Sequence, residues 1–210
     1  MEDRDAIITS DDRKRYPVFV YVALRNALTM NKESLRQSAD KNDLAEVAWR
    51  ARNLLELMVW TEYCVQDLTN AQSFYEDAIR DLVDMNRNRP GLDDETRERL
   101  SSVVATLADP SKPHKYKRVG DVAHDLQIAL YEDNFKTLSK FAHPTAMSVI
   151  APLGDDALKR VIANIVAEAS STADESLSRL DSSPMAEMYK ELLPIMQRFG
   201  AVKLITVATP

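Results

Sequence analysis

Apolar residues recur along this chain at helical spacing. Val18, Tyr21, Val22, Leu24 and Leu28 follow Tyr16-Pro17 at short helical steps. That predicts a helix from about Tyr16 to Asp40, with Pro17 in its first turn, where a missing N–H costs nothing. Asn42 or Asp43 is placed to cap a second helix running to about Gln66. Thr69 or Asn70 is placed to cap a third, which stops before Pro90-Gly91. In that helix Phe74, Ala78, Leu82 and Met85 share one face, the expected core side. A fourth helix runs from Asp93 to Leu107, its leading acids Asp93, Asp94 and Glu95 suited to the positive end of the helix dipole. Asp109-Pro110-Ser111-Lys112-Pro113 breaks the pattern. The stretch from Val119 to His143 holds at least one helix, with Ile128, Tyr131, Phe135, Leu138 and Ala142 as its apolar seam. Pro144 disfavours helical geometry at His143 and ends that helix there. Further helices are expected from about Asp155 to Leu180 and from Met185 to Phe199, the last closed by Gly200. The tail 201–210 is apolar and β-branched, and reads equally as a docked segment or a short strand.

The fold class that follows is all-α. The expectation is a single-domain bundle of about six to eight helices over 1–210, without a significant sheet, and with a mobile basic loop at 108–118. Glycine usage agrees. Four glycines in 210 residues is about 2%, against a usual ~7%. Strand turns and bulges need more. The four are also too far apart to build a phosphate loop, a dinucleotide fingerprint or a nucleophile elbow. Chemistry, if there is any, must come from side chains carried on helices.

Charge and cysteine narrow the classes further. A net charge of −6 argues against a nucleic-acid coat. The lone Cys64 allows neither an intramolecular disulfide framework nor a multi-cysteine zinc site, and its apolar neighbours read as core. No metal site and no cofactor are implied. The first residues are charged and lack an apolar signal core, and no stretch is apolar enough to span a membrane. A cytoplasmic location without membrane attachment is the default expectation. Met185, Met188 and Met196 on the last helix read as core or subunit-contact residues.

Three places break the pattern. In the second helix Glu46, Arg50, Asn53 and Thr61 form a polar stripe, but Arg52 and Glu56 fall on a flank with Ala45, Trp49, Val59 and Tyr63. The rest of this helix is apolar around most of its circumference, so it must be covered widely. An opposite-charge pair one turn apart in such a surface either satisfies itself or lines a site. The second break is Leu138-Ser139-Lys140-Phe141-Ala142-His143-Pro144. His143 sits at a helix end, where it can bond free carbonyls or Glu56, or serve as acid, base or phosphate ligand. The third is Lys112-Pro113-His114-Lys115-Tyr116-Lys117-Arg118. Lys112, Lys115, Lys117 and Arg118 could contact phosphates while Tyr116 stacks, or the run is a solvated loop.

The Arg52-Asn53-Leu54-Leu55-Glu56-Leu57 and Leu138-Ser139-Lys140-Phe141-Ala142-His143-Pro144-Thr145-Ala146 segments resemble an uncharacterised family of bacterial all-helical proteins. That family carries an R-x-x-x-E helix and a downstream S-K-x-x-H-P element. The resemblance covers about residues 40 to 150 and implies no activity. More distantly, the chain resembles HEPN domains, helical bundles that often dimerise and often cleave RNA with an R-x4-6-H motif. His143 matches the histidine, but Lys136 or Lys140 stands where the arginine belongs. Two functions follow as expectations. One is a helical interaction or regulatory module, as a homodimer, without chemistry. The other is an RNA-directed phosphodiesterase. There His143 would be acid or base, Arg52 and Lys140 would stabilise phosphate charge, and Glu56 would orient Arg52 or His143.

Overall fold

A computed structural model of the chain describes residues 15–87, 89–107, 117–143 and 155–198. Among these residues there are eight helices and no strand. In chain order they are α1 Tyr16–Asp40, α2 Leu44–Gln66, α3 Leu68–Arg87, α4 Asp94–Leu107, α5 Val119–Asp125, α6 Ala129–Ala142, α7 Asp155–Asp181 and α8 Pro184–Arg198. The all-α expectation holds. Gly200, the tail 201–210 and most of the basic loop lie outside the described residues.

Local chemistry sets the boundaries. Pro17 opens α1 in its first turn. Asn42 takes a left-handed φ of 53°, and the Asp43 carboxylate then accepts the Glu46 N–H at 3.0 Å and caps α2. Three residues thus reverse the chain between two long helices. The cap of α3 is Asp67, not Thr69 or Asn70: its Oδ1 accepts the Thr69 N–H at 2.8 Å. Asn70 instead donates its side-chain amide to the Tyr63 carbonyl at 3.0 Å, near the end of α2. Asp93 caps α4 through the Thr96 N–H at 2.7 Å, and that bond holds its carboxyl below the usual range. The stretch before His143 resolves into two helices. Gln127 at φ 56° turns the chain between α5 and α6, so Ile128, expected inside the seam, is the N-cap residue of α6.

The bundle is arranged around α2, which packs against α1, α3, α5, α6 and α7. Its Val47, Ala48, Ala51, Leu54, Leu55, Val59 and Cys64 are buried. This is the wide covering that its apolar circumference demands. α1 also meets α3, α7 and α8, while α4 leans on α3. A second set of ties closes the α1, α7 and α8 side. The Tyr21 hydroxyl donates to Asp181 Oδ1 at 2.7 Å, and Arg25 Nε reaches the same oxygen at 3.2 Å. Burial, then that carboxylate, push the Tyr21 phenol up to about 12.

Two readings of helix faces need correction. Thr61, grouped with the polar stripe of α2, is fully buried, and its Oγ1 has no hydrogen-bond partner among the described residues. The helices packed on this part of α2 leave no solvent for it, at a cost of about 1 kcal/mol. On α3, Ala78, Leu82 and Met85 face solvent, with Leu82 57% and Met85 77% exposed. The buried side of that half of the helix carries Val83 at 4% and Arg80 at 7%. Arg80 lies 3.6 Å from Asp77 and 4.0 Å from Glu76. A guanidinium with acidic neighbours can be buried where a lone charge cannot.

Candidate functional site

The two segments that broke the apolar pattern meet. Arg52 on α2 donates from Nη1 to Nε2 of His143 at 3.1 Å and from Nη2 to Oε1 of Glu56 at 3.3 Å. Its guanidinium lies over the Phe135 ring, 4.5 Å from the centroid. Phe135 in turn stacks on Tyr131 at 5.0 Å. α6 brings these groups together because Tyr131, Phe135 and Leu138 follow the seam that faces α2. His143 is the residue just past its end, with extended backbone and its N–H on the Ser139 carbonyl at 3.3 Å.

The cluster is covered at Arg52 and open at His143, which is exposed. The Arg52 side chain is 24% exposed. Its Nε is buried and without a hydrogen-bond partner among the described residues. A guanidinium delocalises its charge and tolerates an aromatic face, so the ring and one carboxylate offset the lost hydration. Burial first, then the negative charge of Glu56, push the Tyr131 phenol up to about 12, against the opposing pull of Arg52. Tyr131 therefore stays neutral throughout the physiological range and serves as an apolar support.

The tautomer of His143 follows from its neighbour. A guanidinium has no acceptor, so Nε2 must accept and the ring proton sits on Nδ1. The nitrogen that could take a proton from a substrate is thus occupied by Arg52. Of the residues expected to act together, Arg52, Glu56 and His143 converge. Lys140 is exposed on α6, one turn before His143. In the basic stretch, Lys112, Lys115 and Tyr116 lie outside the described residues. Lys117 and Arg118 are exposed. The Lys117 ammonium rests 4.4 Å from the Tyr63 ring centroid, which ties this end of the loop to α2.

Other chemistry is sparse. Cys64 is buried, and burial pushes its thiol up to about 12, so it is no nucleophile at neutral pH. Among the described residues no three His, Cys, Asp or Glu side chains form a metal-ligand set. No helix among them is long and apolar enough to cross a membrane. Compared with models of known families, with curated proteins and with solved structures, the chain matches none.

The Phe135 and Tyr131 platform was read from the sequence only as packing seam. An arginine on an apolar flank was the available signal that some ring must cover it. Urea denaturation of single and double variants tests the cluster. Arg52→Ala should cost about 2 kcal/mol and His143→Ala about 1 kcal/mol. The double variant should lose less than both together, because each single change already breaks the shared contact. Strict additivity would show that the contact holds nothing.

Proposed function

We propose that this chain is a helical interaction module without chemistry of its own, and that it engages its partner through the exposed face of α3. The observation that carries this reading is the apolar stripe of Ala78, Leu82 and Met85 open to solvent. Large apolar side chains grouped on one exposed face favour association. The stripe is bordered by Asp81 and Asp84, both exposed. Charge complementarity then selects a partner helix whose apolar ridge is flanked by lysine or arginine. A homodimer is the alternative, but an antiparallel second copy would set these acids against their own counterparts. The Arg52, Glu56 and His143 cluster supports this reading, since Nε2 of the histidine is engaged by Arg52 within the chain.

The probe is a synthetic amphipathic peptide with a leucine stripe and lysine flanks, followed by fluorescence anisotropy. Saturable binding is expected, weakened about tenfold or more by Leu82→Ser with Met85→Ser, which leaves the acids in place. Binding unaffected by that pair would contradict the reading. Sedimentation of the chain alone decides the homodimer: self-association abolished by the same pair would make the partner a second copy.

One observation favours a second reading. The 3.1 Å contact between Arg52 and His143 joins the two residue types that a HEPN-type RNA phosphodiesterase uses. With Lys140 on the preceding turn and Glu56 holding Arg52, phosphate charge could be stabilised beside an acid or base. Cleavage of a mixed RNA pool by the unaltered chain, lost in His143→Ala, would support it. Equal inactivity of both would remove it.

A further inference from the structure

A cavity of about 190 Å³ opens where α2, α6 and α7 meet. Its floor is Ala51 and Ala169, both buried. Two methyl groups at this junction leave space that longer side chains would fill. Leu138 and Phe141 from α6 and Ile165 from α7 line it. At roughly 30 Å³ per water-sized occupant the hollow admits about six of them, the scale of a small ring compound. Asn134, Thr137 and Phe141 lie on a different side of α6 from Phe135, at 100° per residue, and neither Arg52 nor His143 lines the cavity. The cavity is therefore separate from the Arg52 cluster, and it is not part of the α3 face.

Its polar residues are selective. Among the residues lining the cavity the only formal charge is Glu168. Asn134 donates its side-chain N–H to Glu168 Oε1 at 2.6 Å, which fixes the carboxylate in place. Glu168 Oε2 and Asn134 Oδ1 then remain as acceptors without a hydrogen-bond partner among the described residues. Two acceptors, one of them charged, suit a group that has several donors and no acceptor. An ammonium is such a group, and it repels neither the carboxylate nor the face of the Phe141 ring. A carboxylate or phosphate ligand would meet like charge at the rim.

We propose that this cavity is a binding site for a small primary amine. The hydrocarbon body fills the space over Ala51 and Ala169, and the ammonium bonds Glu168 and Asn134. Cyclohexylamine matches the size and is the probe, with cyclohexanol as its neutral counterpart. Amide chemical shifts of the full chain report binding by position. Titration with the amine is expected to move Ala51, Asn134 and Ala169 saturably, with affinity about tenfold or more above that for cyclohexanol. Glu168→Gln keeps the size and the contact with Asn134, and is expected to reduce amine affinity about tenfold while leaving cyclohexanol unchanged. Glu168 is exposed, so this variant folds. Equal affinity for alcohol and amine, an unchanged Glu168→Gln, or no shifts around the cavity would each overturn the proposal.

Discussion

A helix that is apolar around most of its circumference can be stable in water only if other elements cover it on nearly every side. In this protein α2 is that helix, and the remaining architecture answers its demand. α1 reverses onto it through a three-residue turn that Asn42 and Asp43 make sterically and electrostatically favourable. α3 continues from its far end through the Asp67 cap. α6 and α7 come from later in the chain to cover the faces that these neighbours leave open. The buried hydroxyl of Thr61 is a consequence of the same constraint, since packed helices cover this part of α2 and leave no water at that position.

Arg52 shows how the constraint handles charge. Full burial of a guanidinium without partners would cost several kcal/mol. Here Phe135 covers the planar face, Glu56 accepts one hydrogen bond from one turn away, and His143 accepts a second from the end of α6. The arrangement joins residues 91 positions apart in sequence. It also decides what the histidine can do, because the nitrogen facing Arg52 is held as an acceptor. A substrate would have to displace Arg52 before that nitrogen could take its proton.

Much of the fold was legible because helix ends are local. Asp43 and Asp93, Pro17, and the stop at His143 act through neighbours within a few residues, and their geometry follows from residue type. The widely apolar α2 likewise announced that it would be covered. Two local ends were still missed, since Asp67 rather than Thr69 or Asn70 caps α3 and Gln127 divides the stretch before His143; the rest of what stayed hidden depends on distant contacts. Periodicity put Ala78, Leu82 and Met85 on one face correctly, but it could not tell which face of α3 would meet the bundle. The deciding factor is Arg80 with Asp77 and Glu76, which lets the polar side go inward. Arg52 and His143 each stood out as anomalies, yet their meeting rests on the packing of α6 against α2. The alanine-floored cavity was invisible for the same reason, since Ala51 and Ala169 are ordinary helix residues until three helices converge on them.

Native-state hydrogen exchange tests the central role of α2 most directly. If the bundle is organised around this helix, amides from Ala51 to Cys64 exchange only through global unfolding. Their free energies would then equal the unfolding free energy from urea and be the highest in the chain. Exchange of these amides through a smaller opening, while α1 and α7 remain protected, would contradict the account.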